Sequence, residues 1–119
     1  MGTHAQTGLV AAASVADYNT NRIRKHEFTR PDKEDDRVHQ IDALNAQTGP
    51  VLLAYPSAPE VDAILAQAAE AQPDADVTMI NGIRHTLWAI CDDALIGRLT
   101  AAFDAMAALY IADGHHRSA

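Results

Sequence analysis

A chain of 119 residues with 48% apolar content suffices for one domain with one core and is too short for two. Its formal charge of −7 opposes direct nucleic-acid contact, which calls for a surplus of Lys and Arg to displace counterions from phosphates. The only cysteine, Cys91, excludes an internal disulfide and zinc-ribbon spacing, so a reducing, cytoplasmic setting is expected.

The first apolar stretch, "GLVAAASVA" (8–16), lacks the basic flank of a secretory signal and falls far short of the roughly 20 residues a membrane span requires, so no membrane association is expected. Small and apolar, with Val10 and Val15, the segment 7–18 reads as a core strand that ends at the turn-forming "ADYNTN". "RIRKHEFTR" (22–30) alternates and carries Ile23 and Phe28, which predicts a second strand pairing back on the first before Pro31. From Pro31 the acids and the spacing of Val38, Ile41 and Leu44 predict a helix over 31–49, stopped by Gly49 and Pro50.

"VLLAYP" (51–56) is a continuous apolar run, as expected of a strand covered on both faces. Val61, Ile64, Leu65 and Ala68 line one side of a second helix over 58–71. "DVTMI" and "RHTLWAI", joined through Asn81-Gly82, predict a hairpin whose turn has positive φ twice. Asp92 or Asp93 caps a third helix to about Met106, with Leu95, Ile96, Leu99, Phe103 and Met106 inward. "ALYIAD" (108–113) is a strand, and Gly114 begins the first turn of another helix. Together these predict an α/β or α+β fold, a mixed β-sheet with about three packed helices.

Two polar constellations carry chemistry. In "KHEFTRPDKEDDR" (25–37), one reading is a solvated helix start with acids stabilising the first turn. The other notes that His26 and Glu27 precede the helix, where strand-end loops hold functional groups; Glu27 beside basic residues suits a general base. Lys33 and Arg37, one helical turn apart, reach the same anion. In "ADGHHRSA" (112–119), Gly114 admits a backbone closed to other residues, and Arg117 is a fork matched to phosphate oxygens. Asp113 suits a bound Mg²⁺ or fixes a histidine tautomer. His115 and His116 diverge by about 100° on a helix, which disfavours their chelating one metal together. The alternative for this segment is a capping turn with exposed histidines.

The strings "KHEFTRPDKEDDRVHQIDALNAQTGPVLLAY", "RHTLW" and "LYIADGHHRSA" resemble the bacterial and archaeal proteins grouped as domain of unknown function 1015, from about Gln6 to Ala119. Those proteins are typically several times longer, so the resemblance implies that this chain is an internal stretch. It departs from them at His39-Gln40, where they place a basic residue and then His before the isoleucine. More distantly, "DGHHR" is similar to the Gly-x-x-Arg turn of the ParB and sulfiredoxin superfamily, which includes CTP-binding partition proteins, ATP-using sulfiredoxins and free-serine kinases. That likeness implies a ParB/sulfiredoxin-like fold, with Gly114, His115, His116 and Arg117 holding nucleotide phosphates. It also implies that Glu27 deprotonates an acceptor hydroxyl.

The expected function is therefore phosphotransfer from ATP or ADP, with Mg²⁺, to a small hydroxylated metabolite such as free serine. The chain would carry part of that site. A non-catalytic nucleotide-binding clamp is the alternative, and a purely structural module a third. Sulfiredoxin chemistry is disfavoured because His115 and His116 stand where it uses a cysteine.

Overall fold

The computed structural model describes residues 3–47 and 49–119, in the order α1 (Val15–Asn19), β1 (Ile23–Arg24), α2 (Pro31–Leu44), β2 (Leu52–Ala54), α3 (Pro59–Ala68), β3 (Ala75–Thr78), β4 (Arg84–Leu87), α4 (Asp93–Asp104), β5 (Leu109–Asp113) and α5 (His115–Ser118). The content is mixed α/β, and the chain divides into two compact units: residues 12–56 with 106–119, and residues 57–105 with the described part of 1–11.

In the first unit β5 is the middle strand of a three-stranded mixed sheet ordered β1-β5-β2. β1 runs parallel to β5, with Ile23 opposite Leu109 and Arg24 opposite Tyr110, and β2 runs antiparallel, with Leu53 opposite Ile111. Between the Leu52–Asp113 and Leu53–Ile111 pairs, β5 carries one more residue than β2, a bulge of the kind that bends a strand. Ile23, Ala108 and Ile111 are buried at the centre of this unit.

The expectation of a strand over 7–18 fails: residues 3–14 have no regular structure, and Val15–Asn19 is a short helix. An alanine-rich run has little β preference, since it offers no side chains to pack on a pleated surface. The second expected strand shrinks to two residues, and its partner is β5 instead of the first segment. Phe28, within the expected second strand, is 99% exposed, because the chain leaves the sheet after Arg24. Nor is β2 covered on both faces. Leu52 and Ala54, on one face, are exposed, and Leu53, on the other, is half-buried. α2 begins at Pro31 as expected but closes at Asn45, whose φ of 50° supplies a left-handed cap before Gly49 is reached. Val38 and Leu44 on that helix are exposed and Ile41 half-buried. Thr48, within the expected helix, lies outside the described residues.

In the second unit α3 packs beside α4, burying Val61, Ile64 and Leu99, with an ion pair from Arg98 to Glu60 at 3.3 Å on the surface. Ile96, expected inward, is exposed. Asp92 caps α4 by accepting from the backbone N–H groups of Ala94 and Leu95. β3 and β4 form the expected antiparallel hairpin, although only Gly82 has positive φ, at 81°. The Met79 N–H donates to Ile83 and the Gly82 N–H to Met79, a three-residue loop ending in a left-handed glycine.

Candidate functional site

Parallel pairing of β1 with β5 makes both chains emerge at the same end of the sheet. After β1 comes the segment holding His26 and Glu27; after β5 come Asp113 and the turn at Gly114. β2 is antiparallel, so the residues preceding it, Gln47, Gly49 and Pro50, arrive at that end too. α2 lies beside α5 and brings Arg37. Strand direction gathers three separate segments, and the packing of α2 on α5 adds a fourth.

Gly114, at φ 93° and ψ 31°, turns the chain from β5 into the single turn of α5. This left-handed geometry is costly for a residue with a Cβ. The turn exposes a hollow of about 230 Å³ lined by Glu27, Arg37, Asp113, Gly114, His115, His116 and Arg117. Glu27 Oε2 lies 3.7 Å from His115 Nδ1, and Oε1 lies 3.9 Å from His116 Nε2. Both separations exceed a hydrogen bond.

His115 is buried, and the ring of His26 meets it edge-on with centroids 4.5 Å apart. Two buried ring nitrogens, His115 Nε2 and His116 Nδ1, lack a hydrogen-bond partner among the described residues. Leaving such an atom unsatisfied costs about 1–3 kcal/mol. Arg117 is held at several points: Nη2 donates to Asp113 Oδ2 at 3.0 Å, Nε donates to the Pro50 carbonyl at 3.0 Å, and its own carbonyl accepts from Gln47 Nε2 at 3.2 Å. Arg37 donates to Gln40 Oε1 at 3.1 Å. Arg37 and Arg117 also line a smaller recess of about 50 Å³ with Gln40, Ile41, Gln47 and Gly49.

Of the residues singled out from sequence, Glu27, Arg37, Asp113, Gly114, His115, His116 and Arg117 share one hollow. His26 is outside its lining and acts on it only through His115, while Lys33 stands exposed on α2 away from it. Sequence reasoning missed Gln47, Gly49 and Pro50 as site residues. The only signal there was Gly-Pro punctuation, which reads equally well as a helix stop.

Chemically, the hollow is lined by two guanidinium groups, two imidazoles and two carboxylates, Glu27 and Asp113. Among the described residues, no group of three His, Cys, Asp or Glu side chains is gathered to hold a metal by itself. No described helix is long and apolar enough to cross a membrane.

No curated protein and no solved structure matches the chain. The profile of the family described as Protein of unknown function (DUF1015) matches residues 1–119, and with the whole length covered the chain belongs to that family.

Proposed function

We propose that this hollow binds the phosphates of ATP or ADP and that the chain contributes to phosphoryl transfer onto a hydroxyl of a small, serine-like metabolite. The observation that carries the reading is Glu27 beside both His115 and His116, at 3.7 and 3.9 Å, in a hollow that Arg37 and Arg117 also line. The likeness of the Gly114–Arg117 turn to the Gly-x-x-Arg turn of ParB/sulfiredoxin-like proteins points the same way.

Phosphoryl transfer asks for alignment and charge neutralisation more than covalent help. Arg117, anchored through Nε to the Pro50 carbonyl and through Nη2 to Asp113, presents its remaining N–H groups to phosphate oxygens, Arg37 adds a second positive charge, and His115 Nδ1 and His116 Nε2 are the imidazole nitrogens on the side of Glu27. Glu27 accepts the proton of the acceptor hydroxyl as that oxygen attacks the terminal phosphorus and the bond to the leaving phosphate breaks. Mg²⁺ is commonly held by one or two carboxylates plus phosphates, a requirement that the exposed carboxylate of Asp113 fits; the ion would neutralise phosphate charge.

The test supplies the intact natural protein with terminally labelled ATP or ADP, Mg²⁺ and a panel of small hydroxylated compounds including free serine. Labelled acceptor that disappears with Glu27→Gln is the expected result. Nucleotide retention without transfer, dependent on Arg117, is the signature of the non-catalytic clamp. Neither retention nor transfer removes the reading.

A further inference from the structure

We propose that Gly49 is a positioning residue for Arg117, its missing side chain being the slot through which the arginine stem reaches the hollow. A Cβ built on Gly49 would lie 2.5 Å from Arg117 Cδ and 3.3 Å from Nε, and the first distance is closer than real Cβ atoms approach a neighbour. Gly114 shows the same conflict, 2.9 Å from Arg117 Nη2, but its positive φ already calls for glycine. Gly49 is different. The three heavy atoms nearest a Cβ at Gly49 all belong to Arg117, so the conflict there is with that stem. At Gly8, Gly82 and Gly97 a Cβ would meet nothing within 4 Å, which makes the close approach specific to the two glycines beside Arg117.

The residues on either side complete the clamp. Gln47 Nε2 donates to the Arg117 carbonyl and the Pro50 carbonyl accepts from Arg117 Nε, so the stem is hydrogen-bonded where it crosses Gly49. A methyl group at position 49 displaces Cδ, which breaks the Nε bond to Pro50 and withdraws the guanidinium from Asp113. Gly49, placed by the sequence only as punctuation before β2, thereby sets where the cation points. The consequence for ligand binding rests on the phosphate reading above; the positional claim does not.

Two ligand-free measurements test the position. In nuclear magnetic resonance spectra the Arg117 Nε–H, assigned through Arg117→Lys, is expected to be protected from solvent exchange in the wild type and to lose that protection in Gly49→Ala. Absence of protection in the wild type, or equal protection in Gly49→Ala, overturns the proposal. Should Gly49→Ala fold poorly, thermal midpoints in two backgrounds decide. The substitution is expected to lower the midpoint with Arg117 present and to leave it unchanged in the Arg117→Ala background, because the conflict is with that side chain alone; an equal drop in both overturns the proposal. Titration with ATP and Mg²⁺ reads the consequence separately, with at least a tenfold loss of affinity expected in Gly49→Ala. A wild type that binds no ATP removes the phosphate reading and leaves the resonance and midpoint results to judge Gly49.

Discussion

Glu27 Oε2 lies 3.7 Å from His115 Nδ1, although the two residues belong to segments far apart in the chain. The parallel pairing of β1 with β5 brings them to one end of the sheet, where the exposed carboxylate lines the hollow. Glu27→Gln keeps the shape and removes the base. Transfer is expected to fall by about 10²–10⁴-fold, the usual worth of a positioned proton acceptor, with nucleotide affinity little changed. Measuring labelled acceptor and nucleotide binding on the same preparation checks both halves.

Removing the fork should act on binding instead. Arg117→Ala is expected to weaken nucleotide affinity by about tenfold or more, equivalent to roughly 1.4 kcal/mol. Arg117→Lys keeps the charge without the planar fork and is expected to recover only part of the loss, read by calorimetric titration.

In the β3–β4 hairpin, Arg84 Nε donates to Asp76 Oδ1 at 2.8 Å, and this hydrogen bond is the main reason the Asp76 carboxyl is held below the usual carboxylate range. A carboxyl lowered in the folded state contributes stability that is present above its unfolded value and lost as pH falls through the lowered value. The hairpin is therefore expected to loosen only at acidity beyond the ordinary carboxylate range. In Arg84→Met the Asp76 titration should move up toward that range. Carboxyl carbon resonances followed against pH give the measurement.

The helical pair of the second unit depends on two side chains that are almost wholly buried, Val61 and Ile64. Ile64→Ala is expected to cost about 2–5 kcal/mol in denaturant unfolding, as large-to-small changes at buried sites do. Ile80→Ala, at a fully exposed position on the hairpin loop, is expected to stay within about 0.5 kcal/mol. Loss of the Asp92 cap in Asp92→Ala should cost about 1 kcal/mol.

What could be read from sequence follows the range of the forces involved. Pro31 at a helix start, Asp92 as a cap, the spacing of Val61 and Ile64, Asn81-Gly82 in a hairpin and the left-handed turn at Gly114 are local features, and each appears in the structure. Segment 7–18 misled because a run of alanines has no period to distinguish strand from coil, and nothing local shows that Ile23 pairs with Leu109. The two constellations were identified as chemistry-bearing, but their meeting in one hollow depends on strand direction. Lys33 was grouped with Arg37 by helical spacing, yet only Arg37 lines the hollow, because spacing gives a shared face and not reach. The role of Gly49 was hidden for a related reason: a glycine needed for space next to a distant side chain looks the same in sequence as one needed for a turn.

The most direct test of the central claim is a titration of the isotope-labelled chain with ATP or ADP and Mg²⁺, followed by nuclear magnetic resonance in the wild type and in Arg117→Ala. Saturable shifts at Gly114, His115, His116 and Arg117 that weaken at least tenfold in the variant are the predicted result. No binding by the wild type, or binding that leaves these residues unmoved and is indifferent to Arg117, would contradict it.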